Sequence, residues 1–382
     1  MSEEIQKKTE IKMPACDKLI MSSSPHIQTH SSVPGIMLKV IIALMPAMAA
    51  SVYFFGLAAL NLLVMTAVFC VAAEALWCII AKKSVKNAVF DGSAVVTGLI
   101  LAMNFSAATP WYICLIGAFL AIWLGKQVFG GLGYNPFNPA VVARVALLIA
   151  LPGLMTIWPP TSKMVETAQH RISQNEAYSK TFFSTGDWKQ LQDSVSNKSS
   201  VDTITCATPL GIVSEIPKTT HLGAKNSFSH IDNRTAWRNY FLGNVSGSLG
   251  ETSALAILVG CFLLIIWKLI NWRVPVFFVG TVFIFTGIIN FFYPGLTPSP
   301  IFHVLTGGLM LGAVFMATDM VTSPVTNRGS ALFGVGCGLI TSVIRIWGNY
   351  PEGISFAILF MNALVPFIDK MFIRRPFGTP KK

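Results

Sequence analysis

Charged residues are scarce in this chain. Only 12% of its 382 residues are Asp, Glu, Lys or Arg, while 53% are hydrophobic. A soluble globular protein carries about 25% charged residues, so the deficit excludes that class and points to an integral membrane protein. Clustered cysteine is also lacking. Cys70, Cys78, Cys114, Cys261 and Cys337 fall in apolar stretches, Cys16 near the N-terminus and Cys206 in a polar segment. With no C-x-x-C and no Cys/His grouping, an iron–sulfur cluster or zinc site held by this chain alone is excluded, and no metal ligands are expected. No G-x-G-x-x-G fingerprint for a dinucleotide is present. The polar, lysine-bearing start, Met1–Lys18, reads as a tail rather than a signal peptide. The net charge of +11 does not imply nucleic acid, because the basic residues gather in short loops between apolar runs.

What the sequence has in abundance is apolar runs. A membrane span needs about 20 such residues, and candidates lie at 36–57, 58–80, 93–109, 111–129, 138–157, 251–270, 274–293, 301–317, 330–347 and 352–371. Lys7, Lys8, Lys12 and Lys18 precede the first. Lys82, Lys83, Lys86, Lys126, Lys268, Arg273, Arg328 and Lys370–Lys382 recur in every second connection, and the intervening turns at 104–110, 294–300 and 348–351 hold no Lys or Arg. The positive-inside rule places both termini in the cytoplasm and the long polar insertion, 158–250, outside. The expected segmentation is a tail (1–35), five spans (36–157), the insertion (158–250), five more spans (251–371) and a tail (372–382). An odd number of spans per half makes the halves inverted if they are repeats. Thr97–Ala102 resembles Thr306–Ala313, and these short, glycine-interrupted third and eighth spans read as broken helices. The expected fold is all-α, in two inverted five-helix halves.

Several stretches carry chemistry. Asp202-Thr203-Ile204-Thr205-Cys206-Ala207-Thr208-Pro209-Leu210, in the insertion, sets the hydroxyl of Thr208 among small residues. Gly125–Ala140 combines closely spaced glycines, which free the backbone, with Asn135 and Asn138, whose amides complement the edge of a flavin or pterin. Ala317–Thr326 sets Asp319 among hydroxyls, either as a helix-end carboxylate or as an acceptor for a ring N–H in the same pocket. Gly247–Ser253 opens the sixth span. Thr252 and Ser253 there suit a phosphate at a helix N-terminus, and simple capping explains the same residues. Glu74 lies mid-span, the position expected of an ion-path carboxylate. Asp91, Glu352 and Asp369 sit near span ends and read as interfacial anchors.

Taken together, Asp91-Gly92-Ser93, Gly125–Ala140, Gly247–Ser253, Ala317–Thr326 and Tyr350-Pro351-Glu352-Gly353 resemble the family of Rnf electron-transport D subunits and the B subunit of the sodium-pumping NADH:quinone oxidoreductase. The likeness runs from about Ser24 to Asp369. Val89–Val96 and Leu132–Pro136 favour the Rnf branch over the quinone-reducing B subunit, which is one alternative; a cofactor-free inverted-repeat channel or transporter is another. The resemblance implies FMN joined by a phosphoester to the last Thr of a Ser/Thr-Gly-Ala-Thr motif, installed by a flavin transferase. That motif falls on Thr205-Cys206-Ala207-Thr208, with Cys206 in place of Gly. It further implies a non-covalent riboflavin at Asn135, Asn138 and Asp319. It also implies partner subunits bringing iron–sulfur centres, an NAD site and a second FMN, in a bacterial or archaeal cytoplasmic membrane. The expected activity is that of one component in an ion-translocating ferredoxin:NAD+ oxidoreductase coupled to Na+ or H+.

Overall fold

In the computed structural model, the described residues are 32–161, 207–215, 228, 231–348, 350 and 352–372. Thr205 and Cys206, most of the 158–250 insertion and nearly all of both tails lie outside them. Among the described residues every regular element is helical. Lipid offers no hydrogen-bond partner to a backbone, and a helix satisfies its own.

The chain begins with α1 (Val33–Phe55), α2 (Leu57–Ile80), the short α3 (Val85–Val89) and α4 (Ser93–Met103). Next come α5 (Trp111–Phe119), continued by a π-helical run Leu120–Gln127, then α6 (Pro139–Ala150) and α7 (Pro152–Met155). The insertion contributes α8 (Pro209–Glu215) and α9 (Arg234–Leu242). A 3-10 turn, Leu249–Glu251, leads into α10 (Ala254–Ile266), α11 (Arg273–Phe292), α12 (Pro300–Leu305) and α13 (Leu309–Leu311), the last continued by a second π run, Gly312–Met316. α14 (Asn327–Trp347) and α15 (Ile354–Met371) close the bundle. Helical residues occupy each of the expected spans. Five helices (α1, α2, α11, α14 and α15) are individually long and apolar enough to cross a membrane. Leu38, Leu57, Ile79, Ile284, Phe291 and Phe367 point outward from these helices. This outward apolar face marks a multi-pass membrane protein, since a water-exposed surface would not carry it.

Helices cross at glycines, because small residues let backbones approach where lipid supplies no hydrophobic drive. A Cβ on Gly260 of α10 would sit 2.3 Å from the Ala43 carbonyl oxygen of α1, and one on Gly98 of α4 would sit 2.7 Å from Ala67 Cα of α2.

Two helices end inside the protein, and each end meets a buried arginine. Where α4 stops, Arg144 Nη1 donates to the Asn104 carbonyl (2.6 Å) and to Asn104 Oδ1 (2.8 Å). Where α12 stops, Arg345 Nη1 donates to the His303 carbonyl (2.6 Å) and Nη2 to that of Thr306 (3.2 Å). The last carbonyls of a helix lack partners and carry the negative end of its dipole, and a guanidinium meets both needs.

The described part of the insertion docks on this bundle. Asp232 accepts from the Ser299 N–H and Oγ, both at 2.6 Å, and from Trp237 Nε1 at 2.7 Å. Tyr240 packs edge-on against Phe302, and its hydroxyl donates to the Ile231 carbonyl at 2.9 Å.

Candidate functional site

A cavity of about 370 Å3 opens between α1, α4, the end of α10 and the two π runs. Val40, Ile100, Leu264 and Phe315 form apolar walls, while Asn135, Asn138, Asp319, Lys126 and Ser93 supply polar groups. Three residues singled out in sequence, from two stretches about 180 positions apart, therefore meet at one cavity. Departures from α geometry gather at functional sites, and here the π run holding Lys126 and the one holding Phe315 both border it.

The polar groups differ in what they have free. Asn138 is occupied: Oδ1 accepts from the Ala140 N–H (3.0 Å) and caps α6, while Nδ2 donates to the Met316 carbonyl (3.2 Å). Asn135 Nδ2 donates to the Phe137 carbonyl (3.0 Å), but its buried Oδ1 has no partner among the described residues. Asp319 accepts from the Val321 N–H at 3.4 Å and the Thr322 hydroxyl at 3.3 Å, both long contacts, and burial pushes its carboxyl above the ordinary range. A buried acceptor without a donor is costly. An unpaired Asn135 oxygen and a weakly held carboxylate on one apolar cavity suit a flat apolar ligand with an N–H on its edge, which an isoalloxazine ring is.

Glu74 does not line the cavity; it lies buried behind Lys126, which does. Its Oε1 accepts from Lys126 Nζ at 2.5 Å and Gln127 Nε2 at 2.7 Å, and its Oε2 is buried without a partner among the described residues. This corrects the reading of Lys126 as a loop charge marking orientation. It is 2% exposed and paired inside the bundle.

At the far end of α10 lies Thr208, 8% exposed. Its Oγ accepts from the Gly211 N–H at 3.0 Å, opening α8, and the preceding Ala207 carbonyl accepts from Ser246 Oγ at 3.1 Å. The adjoining cleft, lined by Tyr240, Glu251, Thr306, Gly307 and Glu352, measures about 10 Å3. That is room for roughly one water, so a flavin ring tethered at Thr208 does not fit within this cleft as it stands. Ser253 Oγ caps α10 by accepting from the Ala256 N–H (3.2 Å), and the Thr252 hydroxyl donates to the Leu249 carbonyl (2.8 Å).

Glu352 also departs from its reading as an interfacial anchor. It pairs with the buried Arg144. Arg144 and Arg345 escaped the sequence reading, although a cation within an apolar run was the available signal. No group of His, Cys, Asp or Glu able to hold a metal exists among the described residues.

Comparison with known proteins adds kinship to this geometry. The model of the family described as "NQR2, RnfD, RnfE family" matches residues 20–378. The D subunit of the Na(+)-translocating ferredoxin:NAD(+) oxidoreductase complex of Acetobacterium woodii is 39% identical over 363 residues, covering 95% of this chain and 96% of that one. The D subunit of the ion-translocating oxidoreductase complex of Stutzerimonas stutzeri is 38% identical, with 91% and 93% covered. The D subunit of the proton-translocating ferredoxin:NAD(+) oxidoreductase complex of Clostridium ljungdahlii is 37% identical, with 94% and 96% covered.

Proposed function

The chain belongs to the NQR2, RnfD, RnfE family, and from that membership we propose that it is the flavin-bearing membrane subunit of an ion-translocating ferredoxin:NAD+ oxidoreductase. The observation that carries the proposal is the meeting of Asn135, Asn138 and Asp319 at one apolar-walled cavity. In this reading Asn135 and Asp319 hold the edge of a non-covalent riboflavin, and Asn138 fixes the wall by bonding to Met316. Thr208 tethers FMN through a phosphoester made by a flavin transferase, with the ring lying outside the narrow cleft. The insertion and Thr208 face outward, and the cavity lies toward the cytoplasm with both termini.

Bound flavin accepts and passes on electrons, and the protein supplies position and electrostatics. Partner subunits bring the iron–sulfur centres, the NAD site and a second FMN, consistent with the absence of cysteine clusters and a dinucleotide fingerprint in this chain. The coupling ion is Na+ or H+; the names of the relatives include one of each. Glu74, a carboxylate with one oxygen unpaired in the span region, stands on the proposed ion path.

The test is direct. Protein produced with the transferase keeps flavin fluorescence after acid denaturation and electrophoresis. Thr208→Ala loses it, and Thr205→Ala does not. Fluorescence that survives Thr208→Ala removes the tether, and wild-type riboflavin stoichiometry in an Asn135→Ala/Asp319→Ala variant removes the inner site.

A further inference from the structure

One chain of buried polar groups goes beyond holding a ligand. Lys126 Nζ donates to Ser93 Oγ at 2.5 Å, and Ser93 Oγ donates to Asp91 Oδ1 at 2.6 Å. Asp91 also accepts from the Ser93 N–H at 2.7 Å, a turn made possible by Gly92, whose φ of 77° starts α4. Asp91 is half-buried, Ser93 and Lys126 are buried, and the latter two line the large cavity. The hydroxyl accepts from the ammonium and donates to the carboxylate; with Asp91 protonated and Lys126 neutral, turning that one hydroxyl reverses the row so that it runs from Asp91 to Lys126. A purely structural Lys126–Glu74 pair joining the π run to α2 would need neither Ser93 nor Asp91.

We propose that Asp91, Ser93 and Lys126 form a proton relay from the aqueous edge into the cavity, with Lys126 as the donor to a ligand reduced there. This rests on reading the cavity as a flavin site. For each electron pair that a reduced flavin or iron–sulfur donor delivered, Lys126 Nζ would give up one N–H proton to the ligand held in the cavity and become a neutral amine. The Asp91 carboxylate first takes a proton from hydronium at the aqueous edge, releasing water. The reoriented Ser93 hydroxyl then gives its proton to the amine as it takes the one on the Asp91 carboxyl, which restores the ammonium, the hydroxyl and the carboxylate. Glu74 Oε1, which also accepts from Gln127 Nε2, stays hydrogen-bonded to Nζ. The titratable groups facing Lys126 are Glu74, Cys70 and Cys78 on α2, Asp91 before α4 and Asp319 across the cavity.

The experiment uses the purified complex with its flavins, reduced by a photochemical donor, with a pH-indicator dye reporting proton uptake per bound riboflavin. A positioned proton donor contributes at least about a hundredfold to such a transfer. Ser93→Ala, which leaves the Lys126–Glu74 pair standing, is expected to slow uptake by about that factor. Asp91→Asn slows it likewise, and azide, a small diffusible proton carrier, restores it, a rescue that no packing role would show. Wild-type uptake in both variants overturns the relay, as does slow uptake in Asp91→Asn that azide leaves unchanged. Absence of riboflavin from the wild-type complex overturns the flavin reading itself, and the relay with it.

Discussion

Arg144, in α6, is ion-paired with Glu352, just ahead of α15. This contact ties a helix that precedes the insertion to one that follows it. The guanidinium is also committed to the end of α4, so its charge is shared between two structural duties. Removing one partner of a buried pair leaves the other uncompensated, at about 3–5 kcal/mol. Glu352→Gln is therefore expected to lower stability by about that amount in detergent unfolding. An unchanged midpoint would show that the pair carries no weight.

Asp319 offers opposite effects on stability and binding. Burial raises its carboxyl pKa above the ordinary value. The folded protein thus favours the protonated form, and the associated stability is full below the unfolded pKa and lost as pH rises through the folded one. Asp319→Asn, which cannot ionise, should gain stability relative to the riboflavin-free wild type as pH rises through the folded pKa and differ little from it at acid pH, which melts across a pH series would reveal. The same variant gives up a charge-assisted hydrogen bond and should weaken riboflavin binding about tenfold, a loss of about 1.4 kcal/mol.

Tyr240 sets an alkaline limit on the docking of α9. Burial and the nearby Asp232 push its hydroxyl up to about 12. The stability it contributes is full below its unfolded pKa of about 10 and falls as pH rises toward 12. Tyr240→Phe should cost about 1 kcal/mol through the lost bond to Ile231. It should also remove this part of the alkaline destabilisation, which a series of melts across that range would reveal.

Gly260 and Gly280 form a matched pair. A Cβ at Gly260 meets the Ala43 carbonyl at 2.3 Å, whereas one at Gly280 meets nothing within 4 Å. Gly260→Ala should reduce the yield of folded protein sharply or lower its melting temperature by several degrees. Gly280→Ala should be neutral or slightly stabilising, since Ala exceeds Gly by about 1 kcal/mol in helix propensity. Equal behaviour of the two variants would contradict the close α1–α10 crossing.

Much of this was legible in the sequence. Apolar runs of span length gave the helical segments, and amide- and carboxylate-bearing turns at Asn135, Asn138 and Asp319 pointed to a shared pocket. Lys126 was misread because a lysine at the end of an apolar run looks like a loop charge. Its partner Glu74 lies 52 positions away, and only packing of the π run against α2 brings them together. Arg144 and Arg345 escaped for a related reason: their partners are mostly backbone carbonyls at helix ends, which have no residue signature. Thr208 was visible as a hydroxyl among small residues, but its burial and its bond to Gly211 depend on how α8 seats.

The two arginine-capped helix ends also bear on where a membrane voltage falls. Guanidinium groups, the helix-end carbonyls they cap and a carboxylate make the interior around Asn104 and Glu352 more polarisable than hydrocarbon, and the large cavity hollows the other end of the bundle. With these two ends toward opposite faces of a membrane, the electrically insulating layer would be thinned to the packed stretch between them, around the buried Met103 and Met316. A charge passing between the two ends would cross most of the field over that short stretch, doing work of about 2.3 kcal/mol per 100 mV. In a body shaped this way, the length of the path and the depth of the voltage drop are set by separate parts of the chain.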